Sequence, residues 1–227
     1  LTYPPNAPKQ VMVNWSDLER LEEEEMLNDN LIAFELRRLE IKHDQLADEV
    51  HFFNSYFYDS LTKGPNGRSA FKYDNVKSWT RKIDLFKYPY IIVPVNSAAH
   101  WYVFIICNAD KLLQSTDVEP GHTDALANSS QPIGQDADLP NPDAPLIIAL
   151  DSMGKPHSTE IGHLKSYLVE EAKHKRGQSI TKADITSISA KGIPAQTNMF
   201  DCGVFLLGYM DTFLRDPRLF VEKVCSR

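Results

Sequence analysis

Cys202 lies in the run Gln196-Thr-Asn-Met-Phe-Asp-Cys-Gly-Val-Phe-Leu-Leu, directly before a strongly apolar helical stretch. A thiol at a helix N-terminus feels the positive end of the helix dipole, which favours the thiolate that attacks carbonyl carbon. Gly203 after it lets backbone and substrate approach closely. On local context alone, a buried cysteine opening a core helix explains the same residues equally well. A nucleophile also needs a base, and seven histidines compete for that role. His43, His51, His122, His157, His163 and His174 fall in polar, helical or loop contexts that suit surface or packing roles. His100 differs: it opens the apolar run Trp101–Cys107 straight after Asn96-Ser97-Ala98-Ala99. There a rigid strand would hold the imidazole at its exposed end.

A Cys–His pair works best when a third group fixes the imidazole tautomer and stabilises its charged form. Asp151 ends the apolar run Leu146–Leu150, where a carboxylate would otherwise be a desolvation problem, although it could simply cap the turn through Ser152. Acyl transfer further asks for donors aimed at the developing oxyanion. Gln196 could supply its side-chain amide, with the backbone N–H of Cys202 as a second donor. Each residue alone proves little; the ordered set His, Asp, Gln, Cys at element ends is far more specific. No G-x-S-x-G elbow, phosphate-cradling G-x-x-x-x-G-K-[ST] loop or H-E-x-x-H helix is present. Cys107, inside a core strand, and Cys225, near the end, read as structural.

The elements that must position this set are legible from patterning. An extended lead-in covers Tyr3–Val13, and Ser16 or Asp17 can cap a short acidic helix through Glu19–Glu25. Asn28 is a second N-cap, before Leu31, Ile32, Leu36 and Leu39 at helical spacing. The aromatic block Phe52–Leu61 stops at the turn residues Lys63 to Gly67, and a short helix is expected over Val76–Lys82. Tyr90–Val95, Trp101–Cys107 and Leu146–Leu150 are continuously apolar, which predicts strands covered on both faces. Ser158–Lys175 reads as helix, Ile185–Ser189 as strand, and Gly203–Leu214 as a helix ended by Asp216-Pro217.

The 227 residues leave room for one or two domains, and 42% apolar with 24% charged residues excludes wholesale disorder. A net charge of −7 argues against nucleic-acid partners. Three scattered cysteines without a C-x-x-C pair argue against a disulfide framework, zinc or redox work. No signal peptide is visible, and the longest apolar runs fall far short of the about 20 residues that span a bilayer. The expectation is a soluble intracellular protein without membrane partners. The start without Met further suggests a fragment, and the glycosylation triplets at Asn14 and Asn128 carry little weight. The charge is unevenly spread: 108–145 holds seven acidic residues, one Lys, five prolines and no aromatic ring. Such a segment cannot bury enough surface to offset its ordering entropy, so a flexible acidic insertion is expected, tuning encounters by long-range charge. Without it the rest carries a net charge of only −1.

Together, His100-Trp101, Leu150-Asp151-Ser152 and Gln196 through Cys202-Gly203 resemble the Ulp/SENP family of SUMO-specific cysteine proteases. Leu27-Asn28-Asp29, His51-Phe-Phe-Asn-Ser-Tyr-Phe-Tyr and Val76-Lys-Ser-Trp79-Thr80 fit the same family, so the likeness runs from about Asn14 to Phe213. It implies a papain-like α/β (α+β) fold, a central mixed sheet flanked by helices, forming one catalytic domain over 1–227. In that fold Cys202 is the nucleophile, His100 the base, Asp151 its orienter and Gln196 the oxyanion donor. Trp101 would roof a narrow tunnel for the modifier's Gly-Gly tail, and Asp29 would belong to the surface that grips SUMO. Where the family often has an aromatic on the other tunnel wall, this chain has Met26, long and adaptable enough to fill it.

The resemblance further implies a monomeric nuclear enzyme without cofactor or metal, acting on SUMO conjugates. The 51 residues separating His100 from Asp151 resemble the branch that trims poly-SUMO chains. Alternatives are a same-fold protease for another ubiquitin-like modifier and a catalytically silent SUMO-binding module.

Overall fold

The computed structural model describes residues 1–65, 69–116 and 139–227. The strands are β1 (Thr2–Tyr3), β2 (Val11–Met12), β3 (Val50–Phe52), β4 (Tyr90–Ser97), β5 (His100–Cys107), β6 (Leu146–Leu150) and β7 (Thr186–Ser189). The helices are α1 (Trp15–Leu18), α2 (Asp29–Lys42), α3 (Tyr56–Thr62), α4 (Ser158–Arg176), α5 (Cys202–Arg215) and α6 (Pro217–Cys225). β1 and β2 form a small hairpin, while the main sheet runs β3-β4-β5-β6-β7. Its inner pairs are antiparallel and its outer pairs parallel, giving the expected mixed sheet with helices.

Period-two alternation divides the apolar strands between two helix layers. Ile91, Val93, Tyr102, Phe104, Ile106, Ile147 and Ala149 pack with Phe57 and Leu61 of α3 and Leu164, Tyr167 and Leu168 of α4. Ile92, Trp101, Val103, Ile105, Ile148 and Leu150 pack with α2, α5 and α6. Every residue of β5 and β6 is buried, so continuous apolar runs did mean sheets covered on both sides. The buried face of α2 is Leu31, Ile32, Leu36 and Leu39, and the Asn28 side chain accepts the Leu31 N–H as N-cap.

Three expectations need correction. The first short helix begins two or three residues earlier, capped by Asn14, and ends by Leu21, because the buried Asp17 carboxylate is held by Asn14, Asn28 and Asn30. Val76–Lys82 forms turns rather than helix, with Val76 and Thr80 fully buried and the Thr80 hydroxyl donating to buried Glu171 at 2.6 Å. The apolar helix α5 does end at Asp216-Pro217 as expected, and a further helix then starts there: Pro217 sits in the first turn of α6, where its missing N–H costs nothing, and Asp216 caps it.

Finally, the margins of 108–145 are structured. Ala109–Thr116 is a 3-10 helix with Ala109 and Leu112 buried, and Asn108 donates to the carbonyls of Pro142 and Ala144. The body of the expected acidic insertion, 117–138, lies outside the described residues, as do 66 and 67 of the expected Lys63–Gly67 loop. Among the described residues, no helix is long and apolar enough to cross a membrane.

Because β6 carries Asp151 at its end, its packing bears on both stability and the site. Ile148→Ala is expected to destabilise the fold by about 2–5 kcal/mol, read as a lower denaturant midpoint with an unchanged slope.

Candidate active site

Sheet register alone brings His100 and Asp151 together. β4 and β5 form a tight hairpin in which Ser97 faces His100, and its two connecting residues, Ala98 and Ala99, have φ of 51° and 56°. Two left-handed residues give the hairpin the twist a two-residue turn requires, even though neither is glycine or asparagine. β6 runs antiparallel to β5 with Leu150 opposite Val103, so the start of one strand meets the end of the other. His100 Nε2 lies 3.0 Å from Asp151 Oδ1, with both side chains buried. His100 was expected at an exposed strand end; it is at the strand end but only 6% exposed.

The carboxylate of Asp151 is fully engaged. Oδ1 also accepts the Met153 N–H at 2.6 Å, and Oδ2 lies 2.7 Å from His157 Nε2. Burial by itself pushes the Asp151 carboxyl up, but hydrogen bonds from His157, the Met153 amide and His100 outweigh it, and the net shift is downward. His157, assigned above to a surface or packing role, is in fact buried against this carboxylate. A proline-preceded histidine six residues after the aspartate carried no periodic signal that could have revealed it.

Cys202 arrives from the opposite helix layer. It is the first residue of α5, and that helix packs on β5 and α2. The thiol is 1% exposed and unpaired as a disulfide. Gly203 explains how closely α5 can approach: a Cβ there would meet Leu27 Cβ at 3.0 Å and Ile32 Cδ1 at 3.2 Å. The turn before Cys202 is organised by Asn198, whose side chain accepts the N–H groups of Phe200 and Asp201 and donates to the Asp201 carboxylate. Sequence reading missed this residue, though Asn-x-x-Asp before a helix is an Asx-turn signature.

Gln196 is pinned beside the same strand end. Its N–H donates to the Ser152 carbonyl at 3.0 Å, its Oε1 accepts the Ser152 hydroxyl, and its Nε2 donates to the Asn198 carbonyl at 2.8 Å. A primary amide carries two donors, so one remains for an oxyanion. Trp101 is almost wholly covered (1% exposed), its indole N–H donating to the Leu27 carbonyl at 2.7 Å. Met26 and Leu27 pack partly buried on the same cluster that holds Trp101 and Cys202. Asp29 stands apart from this chemistry, accepting the Ser55 hydroxyl at 2.6 Å and tying α2 to the chain before α3. The arrangement can hold an imidazole in one orientation beside the layer that carries a helix-terminal thiol, which is the equipment of nucleophilic acyl transfer.

A family model described as the Ulp1 protease family, C-terminal catalytic domain, matches residues 25–220. Ubiquitin-like-specific protease 2 of Schizosaccharomyces pombe is 35% identical, with the alignment covering 100% of this chain and 36% of that protein. Sentrin-specific protease 7 of Mus musculus is 33% identical over 96% of this chain and 25% of its own length. The chain therefore spans about a third or less of the curated relatives it matches. Among solved structures, one described as the crystal structure of the de-sumoylating protease aligns with a TM-score of 0.79 at 26% identity, covering 99% of this chain and 76% of that one. The SUMO protease Ulp1 with its catalytic cysteine oxidised to a sulfenic acid shares the fold at a TM-score of 0.62 and 20% identity, over 97% of this chain and 86% of that one.

Two outcomes are expected from the geometry. Gly203→Ala should destabilise by about 1–3 kcal/mol, seen as a lower melting temperature, because the new methyl must displace Leu27 or the helix. The Asp151 carboxyl sits below its unfolded value of about 3.9, so its ionised form adds stability that is present above that pH and lost as pH falls through the folded value. The melting-temperature gap between wild type and Asp151→Asn should narrow on acidification below about pH 4. A gap that does not change with pH would contradict the depressed carboxyl.

Proposed function

Because the chain belongs to the Ulp1 protease family, we propose that it is the catalytic domain of a SUMO-specific cysteine isopeptidase, cutting after the modifier's C-terminal Gly-Gly. The observation that carries this reading is the buried His100–Asp151 pair, 3.0 Å apart, at the end of the strand on which the helix begun by Cys202 packs, with Cys202 in the same core cluster as Trp101. Similarity to a de-sumoylating protease and to a sentrin-specific protease supports SUMO as the modifier. In this reading residues 1–227 work as one domain, with 108–145 an insertion between base and orienter. The insertion and the likeness to ubiquitin-like-specific protease 2 support a role in trimming poly-SUMO chains. Nuclear location and action as a monomer belong to the same proposal.

Each residue then has a task. The Cys202 thiolate, favoured by the α5 dipole, attacks the carbonyl carbon of the terminal glycine, and the carbonyl oxygen takes the negative charge. Gln196 Nε2 and the Cys202 N–H donate to that oxygen. Collapse of the intermediate breaks the C–N bond while the His100 imidazolium gives its proton to the departing lysine amine. A thioester remains. His100, now neutral, takes a proton from water as its oxygen adds to the thioester carbon, and the second collapse returns the Cys202 sulfur and frees the glycine carboxylate. Asp151 keeps the imidazole aimed throughout and stabilises its cationic form. Trp101 and Met26 bound the tunnel for the Gly-Gly tail, where any Cβ would clash, and Asp29 contributes to the surface that grips the modifier.

SUMO and ubiquitin carrying a C-terminal electrophile separate this reading from its rivals. A covalent adduct with SUMO is expected for wild type and is lost in Cys202→Ser. Adduct with ubiquitin alone would make the chain a protease for another modifier, and no adduct would make it a silent binding module. Asp151→Asn should lower kcat by about a hundredfold or more while SUMO binding, measured calorimetrically, stays nearly intact. Wild-type turnover in that variant would mean another carboxylate orients His100. Comparing digestion of poly-SUMO with a mono-SUMO conjugate tests the chain-trimming preference.

A further inference from the structure

We propose that His157 is a positioning residue for this reaction, holding the second oxygen of Asp151 so that the first stays fixed on His100. The inference rests on the isopeptidase reading and adds a member to its machinery. Asp151 is met by three nitrogen donors: His100 Nε2 at 3.0 Å and the Met153 N–H at 2.6 Å on Oδ1, and His157 Nε2 at 2.7 Å on Oδ2. An ionised carboxylate only accepts, so the nitrogen that His157 turns toward it carries the proton. With donors on both oxygens the carboxylate cannot rotate without breaking a buried, charge-assisted hydrogen bond.

The ring of His157 is itself immobilised. It precedes the first turn of α4 and stacks on Tyr102 with centroids 4.0 Å apart and planes 19° apart. Phe104 meets it edge-on at 5.7 Å. Tyr102 in turn lies against His100, at 5.8 Å, so the two imidazoles flank one tyrosine as well as sharing one aspartate. Asp151 faces Nε2, Glu160 Oε2 of α4 lies 3.9 Å from Nδ1, and the Tyr102 ring covers one face. Lys165 shares with His157 the lining of a cavity of about 310 Å³, whose β7 wall includes Ser187. His157 thus stands between that cavity and the buried carboxylate.

A donor on Oδ2 does two things that packing alone would not. It fixes the angle at which Oδ1 meets His100, and it draws off part of the negative charge that would otherwise act on His100 and the Met153 amide. Removing it should slow turnover and, by leaving a more basic carboxylate, hold the His100 imidazolium to higher pH.

The test uses SUMO with a C-terminal fluorogenic amide. His157→Phe keeps a ring against Tyr102 but cannot donate; His157→Gln keeps an N–H donor. His157→Phe should lower kcat about tenfold to a hundredfold, leave KM within about twofold of wild type, and move the alkaline limb of the kcat/KM profile to higher pH. His157→Gln should recover most of the loss. Normal kcat in His157→Phe, or equal impairment in both variants with the alkaline limb unmoved, overturns the positioning role while leaving the isopeptidase reading intact. A wild-type chain that does not turn over SUMO overturns that reading and this inference with it. Should His157→Phe fail to fold, imidazole nitrogen NMR shifts of the wild type carry the test: His157 should keep its Nε2 proton at neutral pH. A ring protonated on Nδ1 alone there would overturn the role.

Discussion

A carboxylate buried at the end of an apolar strand is tolerable only if its oxygens are hydrogen-bonded, and that constraint shapes the site around Asp151. Asp151 is 6% exposed and follows five buried residues of β6. Its desolvation is offset by two imidazoles and one backbone amide. Each of those donors has its own anchor. His100 is held by the β4–β5 hairpin, Met153 by the turn that closes with the Gly154 N–H on the Asp151 carbonyl, and His157 by the stack on Tyr102. The local demand for satisfied polarity and the fixed imidazole that the proposed function requires are met by the same atoms.

Cys202 meets the same sheet from its other side. Alternate residues of β5 point into different helix layers, so Trp101 belongs with α5 while Tyr102 belongs with α4. His100 and Asp151 follow the α4 side of the alternation, and the Cys202 thiol comes with α5. They can meet only at the strand ends, where the sheet no longer separates the layers. Close packing of α5 there depends on Gly203, because Leu27 and Ile32 leave no room for a methyl group. Leu27 is held in turn by the Trp101 indole, and Gln196 by Ser152 and Asn198. Two alanines at positive φ in the β4–β5 turn show where backbone strain is stored beside the site; such residues cost of order 1–3 kcal/mol each and persist only where their surroundings enforce them.

The opening sequence by itself determined a great deal. Continuous apolar runs identified β4, β5 and β6, because a strand covered on both faces has no polar side to show. The 3.6-residue period with Asn28 in front identified α2 and its buried face, since that pattern has one physical reading. Element-end positions made Cys202, His100, Asp151 and Gln196 candidates, and the structure sets His100 against Asp151 at 3.0 Å. What sequence misjudged were features whose cause lies far along the chain. Val76–Lys82 forgoes helix because Thr80 reaches Glu171, 91 residues away. Ala109 and Leu112 join the core although they sit in a polar stretch, because Asn108 fastens that stretch to Pro142 and Ala144.

Only the tertiary structure could decide the role of His157. In the sequence it is a histidine after Pro156 in a polar loop, indistinguishable from five others. In space it completes the hydrogen bonding of Asp151, because the turn after β6 folds back and Tyr102 offers a face for the ring. A residue's type and its local period are written in the chain. Which buried acceptor it must satisfy depends on contacts that exist only once the layers have closed.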